Sequence, residues 1–367
     1  MSPPADAPRP GERDRAAPGR PAPGRPELPR GSERLLVLDG PVGTELERRG
    51  LELPEPLWSA RAVIERPELL LAIHAEYAAA GADVHTAATF RTTASALAGT
   101  PHAGRWRELT AHAVALCRQA VGAGSSAGFG TGFGTGSGTG SGAGFGAGSS
   151  AGFGADGVAG GGAGGGAGGR GCAGTAPGAL VAGSIAPLRD CFAPELTPDD
   201  ATLAREHAAF ARCLVEAGCD LLLVETMPTA RELLAATRAA VATGRPVWAA
   251  VTCGPRGDFF SDETLAELRG AVADAGAAAF LINCSSVERT GSALASRAWQ
   301  RPPPAGLRLG AYANTLFGDD HAASPEVFAR TLLRWRDQGL SLLGGCCGTG
   351  PRHVRALVTL LGAGGAT

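Results

Sequence analysis

The chain has 367 residues, a formal net charge of −2 and 19% charged residues. A near-neutral chain with no basic stripe, heptad pattern or nucleic-acid motif is not built to bind nucleic acid or a coiled-coil partner. No run of 18 or more bulky apolar residues is present and no apolar signal core opens the chain, so a cytoplasmic protein without membrane contact is expected.

Residues 1–32, rich in Pro, Arg and Ala, bury too little to offset the entropy of ordering and read as a disordered tail. The organised region is expected over 33–362. Its first apolar run is Leu35–Leu38 and its second is Asp83–Ala87. A low-complexity Gly/Ala/Ser insert then occupies 122–176, where 26 of the 56 glycines fall between Gly122 and Gly174. Six more apolar runs follow, at Ala179–Gly183, Leu221–Val224, Val247–Thr252, Ala279–Asn283, Leu309–Ala313 and Ser341–Gly345. Residues 363–367 form a short C-terminal tail.

Amphipathic stretches such as "PELLLAIHAEYAAAG" and "PEVFARTLLRWRDQG" separate these runs. Several begin near Pro, Ser, Thr or Asp and end in Gly, as capped helices do, and the repeated Ala80-Gly81, Ala217-Gly218 and Ala275-Gly276 pairs mark helix exits. Eight strand–helix units of this length predict an α/β chain folded as a single (β/α)8 TIM barrel rather than an open doubly wound sheet. The insert then lies between the second helix and the third strand, away from the catalytic face, where loop length costs little.

In such a barrel the residues just past the C-terminal strand ends line the active site. Here they are Asp39, Thr86, Thr89, Ser184, Glu225, Cys253, Cys284, Asn314, Cys346 and Cys347. Cys284 follows the sixth strand and the Cys346–Cys347 pair follows the eighth, so the three converge over the mouth. Three thiolates with one open position are the pattern of a catalytic zinc site, and the neighbouring glycines let both adjacent side chains face one ion. Packing as small buried hydrophobes is the other reading, since no CxxC spacing is present. Asp39 and Glu225, each after a wholly apolar strand, suit acid–base work or the binding of an ammonium group; a helix cap or loop anchor is the alternative. The segment "GGCCGTGP" also resembles a phosphate cradle at a helix N-terminus, a reading that leaves the cysteines unexplained. The other cysteines (Cys117, Cys172, Cys191, Cys213, Cys219 and Cys253) are assigned to packing or exposure in a chain of reduced thiols.

The segments "LLVLDGPVGTELERRG", "PLWSARAVIERPELLLAIHAEYAAAGADVHTAATF", "GSIAPLRDCF", "AGCDLLLVETMPTARE", "INCSS", "YAN" and "LLGGCCGTGPRHVRAL" together resemble the zinc-dependent homocysteine S-methyltransferases. The resemblance implies a (β/α)8 barrel with Zn2+ on Cys284, Cys346 and Cys347, which also act in catalysis. It implies that Asp39, Glu225 and Asn314 bind substrate, and that Asn283 precedes the metal cysteine. The implied partners are homocysteine and a small methyl donor, with methionine as product. "PLWSA" resembles members that use S-methylmethionine, with betaine or another donor as the alternative. Two other classes stay open: a non-catalytic zinc- or thiol-binding barrel, and a barrel enzyme for a phosphate ligand. Two departures from the family pattern bear on substrate contacts. Pro41 removes a backbone N–H, and Ala88 stands where a polar residue is usual.

Overall fold

The computed structural model describes residues 34–123, 178–315 and 324–364. The expected tail at 1–32, the expected insert from 124 onward and Cys172 lie outside the described residues. The strands are β1 (Leu36–Val37), β2 (Val84–Ala87), β3 (Leu180–Ile185), β4 (Leu221–Met227), β5 (Val247–Val251), β6 (Ala279–Ser286), β7 (Arg308–Asn314) and β8 (Leu342–Gly345). Helices α1 (Val42–Arg48), α2 (Ala60–Glu65) and α3 (Pro67–Ala80) follow β1, and α4 (Ala94–Leu97) and α5 (Trp106–Ala123) follow β2. The later crossovers are α6 (Asp200–Glu216), α7 (Ala230–Val241), α8 (Asp262–Asp274), α9 (Val287–Ala295), α10 (Pro325–Asp337) and α11 (Pro351–Gly364). Helix α5 extends two residues into the span read as insert, and α11 two residues into the span read as tail.

All pairings are parallel, in the order β1-β8-β7-β6-β5-β4-β3-β2. The ring closes where Leu38 bridges Val84 and the Asp39 amide donates to the Val84 carbonyl at 2.9 Å. The (β/α)8 barrel read from eight apolar runs is therefore the fold. Side chains alternate across it with period two. Leu36, Leu38, Val84, Leu180, Ala182, Leu221, Leu223, Trp248, Ala250, Ala279, Leu281 and Leu342 fill the interior. Their neighbours, among them Val181, Leu222, Val224, Ala249, Phe280 and Ile282, pack outward against the helices.

The crossovers carry their own start and stop signals. Asp199, Thr229, Ser261 and Ser286 each accept an amide three residues on, capping α6, α7, α8 and α9. Gly81, Gly218 and Gly276 end α3, α6 and α8 with φ of 96–100°, a conformation that disfavours any side chain. Among the described residues no helix is long and apolar enough to cross a membrane.

Two buried histidines strain this scaffold. Among the described residues neither ring nitrogen of His74 on α3 has a partner, and burial, with some repulsion from His85, pushes its pKa down to about 3. His85 on β2 keeps one contact to the Ala82 carbonyl, yet burial still lowers it to about 4. Each stays neutral when folded but takes a proton near pH 6.5 when unfolded, so stability is intact above that pH and lost as pH falls toward the folded values. His74→Leu should lose about 2 kcal/mol less than the parent between pH 7 and pH 5, measured by urea unfolding at both pH values. An unchanged pH slope would show that His74 binds its proton equally well in the folded and unfolded chain.

Candidate active site

Polar and thiol groups gather where several strands end, so the barrel mouth differs in chemistry from the apolar plug beneath it. A cavity of about 380 Å³ opens there, within the usual range for small-molecule sites, and its walls include Asp39, Thr86, Ser184, Glu225, Cys284, Tyr312, Cys346 and Cys347.

The three cysteines read from strand spacing do converge. Their sulfurs all lie within 4.8 Å of one another, with Cys284 Sγ 3.9 Å from Cys347 Sγ. No other group of three or more His, Cys, Asp or Glu ligand atoms gathers this way among the described residues. Cys284 reaches the cluster through a register shift in β6 between Asn283 and Ser286, and its own φ is +45°. Two hydroxyls hold that peptide. Thr252 Oγ1 donates to the Cys284 carbonyl at 3.0 Å, while Ser285 Oγ accepts the Cys253 amide at 2.8 Å and donates to the Asn283 carbonyl at 3.0 Å.

The pair on the β8 side is held as firmly. The Cys346 amide donates to the Ala313 carbonyl, and the Thr315 amide donates to the Cys347 carbonyl. Thr349 turns back, its amide and hydroxyl both donating to the Cys346 carbonyl. From α1, Arg48 reaches the same turn and donates to the Thr349 carbonyl at 2.7 Å and to the Gly348 carbonyl.

Hydrogen bonding from Cys284 and Cys346 holds the Cys347 thiol well below its ordinary pKa. Hydrogen bonding to its neighbours, with burial, holds Cys284 well above it. Three thiolates this close would repel one another. Thiolates around a tetrahedral thiophilic ion at about 2.3 Å sit roughly 3.8 Å apart, so the observed separations and the all-sulfur donor set fit such an ion.

Both carboxylates also face the cavity. Asp39 is 3% exposed and accepts the Thr86 amide at 2.9 Å; burial raises its pKa well above the ordinary range despite that bond. Glu225 is 8% exposed, takes a hydrogen bond from Ser184 Oγ on one oxygen and from the Tyr312 hydroxyl at 3.0 Å on the other, and is likewise raised by burial. Neither carboxylate has an Arg or Lys ion-pair partner among the described residues. Aromatic groups also line the cavity. Trp58, with φ of +41°, meets Phe90 edge-on at 5.7 Å, and a Cβ on Gly43 would lie 2.8 Å from its ring. At the rim Arg91 bonds Glu55 at 3.2 Å.

Asn314 sits at the end of β7, fully buried, but it does not line the cavity, and its amide has no partner among the described residues. Pro41 and Ala88 do line the cavity, and the Pro41 carbonyl accepts the Tyr77 hydroxyl at 3.2 Å. The turn after β8 offers little to a phosphate. The Thr349 amide is taken by Cys346 and the Gly350 amide by His353 Nδ1. Cys117, Cys219 and Cys253 are buried in the outer core, as packing predicts, and Cys213 is buried with its thiol against the Arg107 carbonyl. Cys191, expected to be a bystander, lines the cavity instead. Tyr312 escaped the sequence reading, although it stands two residues before Asn314 on the same inward face of "YAN".

The family model for homocysteine S-methyltransferase matches residues 36–361. The homocysteine S-methyltransferase of Escherichia coli (strain K12) is 29% identical over 342 residues, covering 88% of this chain and 94% of that protein. Homocysteine S-methyltransferase YbgG of Bacillus subtilis (strain 168) is 27% identical over 341 residues, covering 88% and 93%. The metallated form of the homocysteine methyltransferase MmuM from Escherichia coli superposes with a TM-score of 0.66 at 25% identity, covering 89% of this chain and 96% of that one. The chain belongs to the homocysteine S-methyltransferase family.

Proposed function

We propose that this protein moves a methyl group from S-methylmethionine to the thiol of homocysteine, with Zn2+ held by Cys284, Cys346 and Cys347. The observation that carries the reading is the gathering of three cysteine sulfurs within 4.8 Å at a cavity walled by two buried carboxylates and an aromatic pair. A free thiol is mostly protonated at neutral pH, its pKa being about 8.5. Zinc on three thiolates supplies the Lewis acidity that keeps an acceptor thiol deprotonated and electron-rich.

The remaining residues bind and orient. Glu225 is aimed by Ser184 and Tyr312 yet keeps acceptor capacity, because a carboxylate offers about four lone-pair sites. Asp39 is fixed by the Thr86 amide in the same way. An ammonium arriving between two carboxylates that burial disfavours as anions restores their charge and is bound by charge-assisted hydrogen bonds. Among the described residues, Asp39, Glu55, Asp190 and Glu225 face the cavity against the single cation Arg91, which favours a cationic donor over an anionic one. The ring faces of Trp58 and Phe90 attract a sulfonium in the same sense. As the acceptor sulfur–methyl bond forms, the donor sulfur–methyl bond breaks with its electron pair kept by the donor. The sulfonium charge disappears, and both products are methionine.

Reduced wild-type protein should carry about one zinc per chain, and Cys347→Ala should lose both zinc and methyl transfer. Full turnover by a zinc-free variant would refute the metal role. Glu225→Gln should raise the homocysteine KM about 10- to 100-fold with kcat little changed, since one charge-assisted bond is lost in ground and transition states alike. A fall in kcat at unchanged KM would move Glu225 from binding into the chemical step. With homocysteine saturating, S-methylmethionine should exceed betaine in kcat/KM; the reverse order would make the donor an ammonium.

A further inference from the structure

Among the described residues, two of the three outside glycine with positive φ are Thr226, at +59°, and Cys284, at +45°. Each lies in a register shift, that of β4 between Val224 and Met227 and that of β6 between Asn283 and Ser286. Left-handed backbone costs a β-branched residue on the order of 1–3 kcal/mol and persists only where its surroundings enforce it. Thr226 directly follows Glu225, and Cys284 directly follows Asn283.

The Asn283 side chain joins the two. Its Oδ1 accepts the Thr226 amide at 3.0 Å and its Nδ2 donates to Thr226 Oγ1 at 2.7 Å. Strands β4 and β6 are not neighbours in the sheet, since β5 lies between them, so this contact crosses the barrel interior. Asn283 and Thr226 are 0% and 3% exposed. In so dry a setting each of the two bonds is expensive to break, because a buried amide or hydroxyl then loses its partner. On its other side the Asn283 carbonyl is tied through Ser285 Oγ to the Cys253 amide beyond β5.

We infer that Asn283 is a positioning residue that fixes Glu225 and Cys284 as one unit, so that the carboxylate for the amino-acid end and the thiolate for the metal cannot move independently. The inference rests on the roles proposed above for those two side chains. Neither Asn283 nor Thr226 is proposed to touch metal or substrate. Loosening either one should therefore disturb both half-sites together.

The test uses two variants of the full chain, Thr226→Ala and Asn283→Ala, and two readouts. One is the dissociation constant for cobalt(II), followed by thiolate-to-cobalt absorption in the metal-stripped, reduced protein; the other is the homocysteine KM with S-methylmethionine as donor. Thr226→Ala removes one hydroxyl beside Glu225 and leaves every thiol in place. It should nevertheless weaken cobalt binding several-fold as well as raise KM several-fold. Asn283→Ala should shift both by tenfold or more. A Thr226→Ala protein with raised KM and unchanged cobalt binding would overturn the inference, since the effect would then be local to Glu225; unchanged values of both would overturn it equally. Should Asn283→Ala not fold, Thr226→Ala decides alone. Failure of wild type to bind cobalt or transfer methyl would instead count against the proposed function, which separates the two.

Discussion

Three sulfur atoms that repel one another once ionised are held within 4.8 Å, and the upper barrel is arranged around that constraint. Two unit charges about 4 Å apart cost on the order of 4 kcal/mol even at an effective dielectric near 20, so the cluster would spread if its backbone could yield. It cannot yield easily. The Cys284 peptide is pinned by Thr252 and Ser285, and the turn bearing Cys346 and Cys347 is pinned by Ala313, Thr315 and Thr349. Arg48 adds a cation to the carbonyls of that turn, and its partner Glu45 on the same helix keeps the guanidinium in place. A cation among the sulfurs turns the same proximity from repulsion into attraction, which distinguishes a chelating arrangement from three cysteines that merely pack.

The carboxylates repeat this logic with the opposite need. Asp39 and Glu225 are buried beside each other's field, with hydrogen bonds from an amide and two hydroxyls but, among the described residues, no cationic side chain. A scaffold selected for stability alone would place an Arg there or make the site apolar. Leaving two acids short of positive charge costs folding free energy and stores it as affinity for a cation that arrives from outside. Such local losses are the usual mark of a working site.

Much of this was legible in the sequence because it depends on local chemistry. Eight apolar runs, the Ala-Gly exits and the capping residues specify the barrel with little tertiary help. Once strands are counted, Cys284, Cys346, Cys347, Asp39 and Glu225 fall at the mouth, because period-two alternation and strand ends are properties of the chain itself. What escaped depends on three-dimensional context. Strand β6 runs to Ser286, not Asn283, because a register shift lengthens it past the apolar run. Cys191 reaches the cavity because its loop folds over the mouth, and nothing in "LRDCFAPE" dictates that path. Tyr312 was within reach of the alternation argument, yet its partner Glu225 is 87 residues away.

The register shifts explain how a strand delivers more than it should. With strict alternation β6 can turn either Asn283 or Cys284 inward, never both, since successive side chains point to opposite faces. One extra residue in the strand lifts that limit, and a bulge re-aims the side chain that follows it. Asn283 thus grips Thr226 from inside the barrel while the next residue joins the sulfur cluster. Strand β4 does the same with Glu225 and Thr226. On β8 the strand simply stops at Gly345, freeing Cys346 and Cys347 from alternation so that both can face one point. The candidate site is dense in functional groups because its strands abandon regular pairing at their last residues, and the left-handed backbone at Thr226 and Cys284 is the strain that departure requires.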